Sequence, residues 1–124
     1  MIRFVIPGKL GGFNQYVDAC RTNPHAGDKY KKNNEIIVVL SIRKQISGIT
    51  AKAPVDIKFA WYEKDNRRDP DNISGFGHKV ILDALVSCRI LKDDSRKYIA
   101  SLTDEFYTDR KNPRIEVTIN ESEK

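Results

Sequence analysis

The residues with the greatest potential for chemistry are acidic and closely spaced. Asp69 and Asp71 sit within "RRDPDN", Arg67 to Asn72, and Asp93 and Asp94 are adjacent in "ILKDD". Two carboxylates one residue apart repel each other unless something cationic lies between them. Pro70 keeps Asp69 out of the α region, and in an extended segment residues i and i+2 point the same way, so the two carboxylates are expected to share a face. A hard divalent cation such as Mg2+ takes oxygen ligands and would remove the repulsion. The hexapeptide also has a plainer reading. Asp71 would serve as the N-cap of a helix whose apolar stripe begins at Ile73, with Arg67 and Arg68 neutralising nearby carboxylates.

The elements around these residues can be read from periodicity. "PVDIKFAWYEK", Pro54 to Lys64, alternates Val55, Ile57, Phe59 and Trp61 against Asp56, Lys58, Ala60 and Tyr62, the pattern of a half-buried strand that leads straight into the hexapeptide. From Asn72 the period becomes helical: Ile73, Phe76, Gly77, Val80, Ile81, Ala84, Leu85 and Cys88 form one stripe, and the helix is expected to end near Cys88. "RILKDDSRKY" then reads as a polar turn. Two strands follow, "YIASLTDEFYTDR" and "RIEVTIN", joined by the "DRKNP" turn, and the tail "ESEK" should fray. Upstream, "IRFVI" reads as a strand that stops at Pro7 and Gly8. The segment "GKLGGFNQYVDACRTNPHAG" reads as irregular with one short helical turn at most, its polar tips being either connection or binding surface. "DKYKKNNEIIVVLSIRKQISG" is rich in β-branched residues, yet Val38, Ile42 and Ile46 at i, i+4 and i+8 and the stop at Gly48 favour a helix, with Lys29, Lys31 and Lys32 clustered at its start.

At 124 residues the chain is expected to form one domain, residues 1–124, around a single core. A formal charge of +5, spread along the whole length, favours a polyanionic partner. Cys20 and Cys88 belong to no metal-ligand spacing, which argues against a zinc site and a disulfide framework and suggests free thiols in a reducing cytosol. The longest apolar run, "IIVVL", is far short of a membrane span, so a cytoplasmic protein with no membrane partner is expected. There is no Ser/His/Asp arrangement and no glycine-rich phosphate loop, and no organic cofactor is expected.

The order "RRDPDN", then a helix containing "HKVILDALV", then "ILKDD", resembles the RusA family of Holliday-junction resolvases. The match is most specific from Trp61 to Asp94 and looser from the Asn14 loop through the C-terminal strands. The resemblance implies a compact α/β (α+β) domain with a mixed β-sheet flanked by helices. It makes Asp69 and Asp71 paired metal-binding carboxylates and Asp94 the third, with Asp93 the alternative for that place. It makes Lys79 the lysine that supports catalysis, although Lys79 lies eight residues beyond Asp71, about 12 Å along a regular helix, because "SGFG" fills an extra turn. Lys79 could instead meet a neighbouring phosphate or pair with Asp83. His78 could face the same side as Asp71 or be a lone surface histidine, and the role of Asp83 could be structural.

Arg67, Arg68, Asn72 and Asn14 are the candidates for DNA contact, and Lys92, Arg96 and Lys97 also flank the acidic elements. The cofactor implied is Mg2+, with Mn2+ able to substitute, and the partners implied are a four-way DNA junction and a second copy. A homodimer would nick opposed strands symmetrically, in recombination and repair, and such proteins are frequently encoded by phages. Two rival functions share these features: a nuclease for flaps or other branched DNA, and a DNA-binding protein whose acidic elements are only caps and turns.

Overall fold

A computed structural model describes residues 1–123. The elements run β1 (Ile2–Pro7), α1 (Phe13–Thr22), α2 (Ala26–Ile46), β2 (Val55–Glu63), α3 (Pro70–Ser87), β3 (Ile99–Thr108) and β4 (Arg114–Glu121). The strands form one mixed sheet in the order β1-β4-β2-β3. β2 runs parallel to β3 and antiparallel to β4, and β4 runs antiparallel to β1. The fold is thus α+β, as the resemblance implied.

The alternation in β2 directs Val55, Ile57, Phe59 and Trp61 into the core, where each is about 1% exposed or less. Opposite them, α3 contributes Phe76, Val80, Ile81, Ala84 and Leu85, and α2 contributes Val38, Ile42 and Ile46. The other face of the sheet is laced with ion pairs, Arg3 with Glu116, Arg114 with Glu116 and Lys58 with Glu105. Glu105 is held below the usual carboxylate range, first by the Lys58 ammonium and then by the Tyr107 hydroxyl.

β3 and β4 are both present, but they do not pair with each other. The turn between them crosses the end of β2, which lies in the middle, and the Asp109 N–H donates to the last carbonyl of β2, that of Glu63, at 2.7 Å. The expected fraying of the tail concerns, at Lys124, a residue outside those described. Just before it, Glu121 still belongs to β4 and the Ser122 N–H donates to Pro54 at 2.8 Å.

One expectation fails. The segment after Pro7 is not irregular: residues 13–22 form the ten-residue helix α1. A start signal was present, since Gln15, three residues after Gly12, accepts the Gly12 N–H through Oε1, half of a capping box with glycine at the cap. Phe13, Tyr16 and Val17 also carry a helical stripe, and the Tyr16 ring stacks on Phe76 of α3 at 4.8 Å. The glycines and asparagines outweighed both signals when read by composition.

The close seat of α3 on β2 depends on Gly77. A methyl group there would lie 2.5 Å from Trp61 Cη2 and 2.8 Å from Cζ3. Both atoms belong to a rigid, buried ring that cannot swing aside. Gly77→Ala, normally favourable in a helix, is therefore expected to destabilise the protein by about 1–3 kcal/mol, read as a lower urea midpoint.

The two margins of the sheet are finished differently. Along β1, Gln45 of α2 presents its side-chain amide to Val5, accepting the N–H at 2.8 Å and donating to the C=O at 2.7 Å. β3 has no such cover; among the described residues no strand pairs with its outer side, and Leu102, Phe106 and Tyr107 are each about 40% exposed.

Candidate active site

α3 begins at Pro70, two residues earlier than the periodicity suggested, and its N-cap is Asp69 rather than Asp71. Proline suits the first helical position because its φ is already helical and its missing N–H would have had no partner there. Asp69 is extended (φ −72°, ψ 154°), as Pro70 dictates, and its carbonyl accepts the first helical bond, from Ile73, at 3.1 Å. Asp71 lies inside the first turn, so strand-like alternation does not align the pair. The two carboxylates instead stand on either side of Pro70 at the positive end of the helix, where negative charge is favoured. The Asp69 side chain makes no capping bond. Its carboxylate is thereby left available for another partner.

Asp69 borders a depression of about 270 Å³ at the end of β2, lined also by Glu63, Asp65, Arg68 and the last residues of β3, Phe106 to Thr108. The two arginines before Asp69 part company here. The Arg67 side chain is 85% exposed and approaches Asp65 at 3.7 Å, while its backbone N–H donates to Asp65 Oδ1 at 3.1 Å. Arg68 is largely buried: its Nε and Nη2 donate to the two carboxylate oxygens of Glu63 at 2.7 and 2.8 Å, and its Nη1 donates to the Leu10 carbonyl at 3.1 Å. Arg68 therefore clamps the loop before α1 to the end of β2, and Arg67 is the one that faces solvent beside Asp69.

Asn14 and Asn72, from opposite halves of the chain, meet. The Asn14 N–H donates to Asn72 Oδ1 at 2.9 Å, so a side chain of α3 satisfies an N–H in the first turn of α1. Asp83 pairs with Lys31 of α2 rather than with Lys79. The Lys31 ammonium is raised above its ordinary value, first by that carboxylate. Asp83 thus ties α2 to α3. Lys79 is exposed, one turn before Asp83, and the helix turns it about 80° away from Asp71.

His78 is not a lone surface histidine. Its Nε2 lies 2.7 Å from Asp104 Oδ1, which also accepts the Trp61 indole N–H at 2.8 Å, and its ring packs on Phe59. Asp104 was not singled out in the sequence, because its partners lie 26 and 43 residues away.

Asp94 lies elsewhere. α3 has 18 residues, about 27 Å, and runs back along the sheet from the end of β2 to its beginning. After it, Arg89 takes the left-handed conformation (φ 61°), Ile90 donates to Leu85 at 2.9 Å, and Ile90 and Leu91 are buried. That helix stop pins the following loop beside the start of β2, where Val55 N–H donates to Tyr98 and Ile99 registers with Val55. Asp93 and Asp94 are exposed in this loop, about a helix length from Asp69 and Asp71. Among the described residues no three His, Cys, Asp or Glu side chains gather into a metal-binding group. One chain thus brings together two of the three expected carboxylates, not all three.

The fold places the protein in the α+β class, with an acidic, arginine-flanked depression at the end of its one parallel strand pair, β2 with β3. Residues 3–120 of the 124 match the family model Endodeoxyribonuclease RusA, and the chain belongs to that family of Holliday-junction-resolving endonucleases. Among curated proteins no match was found. No helix of the described residues is long and apolar enough to cross a membrane.

Proposed function

We infer that the protein is a Mg2+-dependent endonuclease that resolves four-way DNA junctions by symmetric paired nicks, as a homodimer, in cytoplasmic DNA recombination and repair. The observation that carries this reading is the Asp69 carboxylate, uncommitted at the cap of α3, next to Asp71 and the exposed Arg67. Carboxylate oxygens are the ligand type that Mg2+ and Mn2+ take, and Asp69 and Asp71 would hold the ion, with Asp94, a helix length away within one chain, able to join them only from the second copy of the homodimer. When bound, it supplies activation of water and stabilisation of the charge that builds on the phosphate and the leaving 3′ oxygen.

The chain's own groups do the rest. Arg67 binds a phosphate beside Asp69 and orients the strand. Lys79, exposed farther along α3, neutralises an adjacent phosphate, and Lys92, Arg96 and Lys97 extend the basic track along the loop that bears Asp94. Asn72 and Arg68 position these groups by fixing α1 and the loop before it against the helix start.

The test is quantitative cleavage of an immobile four-way junction, a flap and a linear duplex, each with Mg2+ or with EDTA. The expected result is paired, symmetric nicks on the junction, abolished by EDTA and restored by Mg2+ or Mn2+. Preference for the flap would move the substrate assignment to other branched DNA, and binding without cleavage of any substrate would refute a nuclease.

A further inference from the structure

Five consecutive apolar residues, Ile36 to Leu40, cannot all face the core from one helix, because successive positions are about 100° apart. Of the five only Val38 is fully buried, and Ile36, Ile37 and Leu40 are 56%, 39% and 60% exposed. Single apolar side chains on a surface need no explanation, but these three stand together on one side of α2. Leu40 borders two depressions. One, of about 530 Å³, lies between α2, the end of β1 and the turn before β4, and its apolar walls are Val5, Pro7, Ile37 and Leu40. The other, of about 380 Å³, is lined by Ile36, Val39, Leu40 and Ser87, the last residue of α3. Both fall in the range, roughly 300–1,000 Å³, of pockets that bury a ligand-sized group.

The border of this surface is cationic. Lys44 lines the first depression, Lys32 and Arg43 line the second, and Arg110 and Lys111 stand in the turn that brings Asn112 to the first. Among the described residues none of these five cations is in an ion pair. The acids of the neighbouring turn and strand, Asp109 and Glu116, are held by Arg114. Glu35, at the second depression, lies close enough to Lys31 to help raise that ammonium above its ordinary value.

We propose that this face of α2 is a docking site for an acidic peptide segment of another protein, whose bulky apolar side chains enter the depressions beside Leu40 while its carboxylates meet Lys32, Arg43 and Lys44. The pairing of apolar hollows with unpaired cations selects that chemistry. A second copy does not fit, because about a twofold axis the same lysines and arginine would confront each other. Nucleic acid matches the charge, but a phosphate backbone leaves Ile36, Ile37 and Leu40 without an apolar partner. A lipid surface would cover the exposed Leu40 and leave the concavities beside it unfilled. Neither depression shares a lining residue with the one that Asp69 borders, so a docked segment leaves the acidic site open. Docking here would bring the protein to its partner rather than block it, and the inference stands on this surface alone, independently of the nuclease reading.

The test is selection from a phage-displayed library of random short peptides on the full chain, followed by fluorescence anisotropy of the recovered peptides. Those peptides should combine Asp or Glu with Leu, Ile, Phe or Trp, and their binding should weaken as salt is raised. Leu40→Ser, and separately the double variant Arg43→Ala, Lys44→Ala, should each weaken binding by about tenfold or more. All three positions are exposed, so both proteins should keep the wild-type urea midpoint. Recovery of no acidic, apolar peptides, or equal binding of them by wild type and both variants, overturns the proposal. Association of wild type with phosphatidylglycerol vesicles or with duplex DNA that is lost in Leu40→Ser would also overturn it, by assigning the face to a membrane or to nucleic acid.

Discussion

Asp69→Asn is expected to abolish junction cleavage, by on the order of 10³-fold or more, while leaving the fold almost untouched. Asparagine caps a helix as well as aspartate does, and Asp69 makes no side-chain capping bond to lose, so stability should stay within about 0.5 kcal/mol. Cleavage is different in kind. A neutral amide cannot replace a charged ligand, and the stabilisation that a bound cation provides amounts to several kcal/mol of transition-state energy. Junction binding should persist, because Arg67 and the basic loop remain. The measurements are single-turnover cleavage, junction affinity at fixed salt and a denaturant midpoint on the same preparation. Retained cleavage at ordinary Mg2+ would show that the carboxylate at this cap does no chemistry.

Arg68→Ala should have the opposite profile. The guanidinium holds both oxygens of Glu63 and the Leu10 carbonyl, and its removal leaves a carboxylate that is 11% exposed without its cation. Breaking a buried pair from one side costs about 3–5 kcal/mol, a large share of the 5–15 kcal/mol that typically separates a folded domain from its unfolded chain. Arg68→Lys should rescue only part of this, since an ammonium cannot span two carboxylate oxygens in a fork and reach the Leu10 carbonyl as well. Equilibrium urea unfolding of the three proteins orders them. If Arg68→Ala matches wild type, the clamp is not what holds the first loop.

Much of this architecture could be read from local patterns. The alternation of β2 buries chiefly one face, with Ala60 the covered exception on the other, the stripe of α3 faces the core, and both patterns stand where periodicity put them. Legibility stopped where local signals competed or partners lay far apart. α1 was hidden by glycines and asparagines, although Gln15 marked its start. The apolar stripe, which begins at Ile73, points to a cap at Asp71, whereas Pro70 starts the helix and sets the cap at Asp69. The two arginines of "RRDPDN" are equivalent as letters, and only the fold separates the clamp from the one that faces solvent. Asp94 belongs beside Asp69 by resemblance, but a helix of 18 residues keeps them apart within one chain. Sequence order holds no statement of that distance.

The amide of Gln45 has a consequence for assembly size. A sheet open at both rims can recruit neighbours without limit, and its growth ends in fibres. Here one rim is sealed by the chain's own glutamine, so a neighbouring strand could join this sheet only at the other, and growth could not run on through both. Unsealing it with Gln45→Ala would leave both rims open and remove that limit.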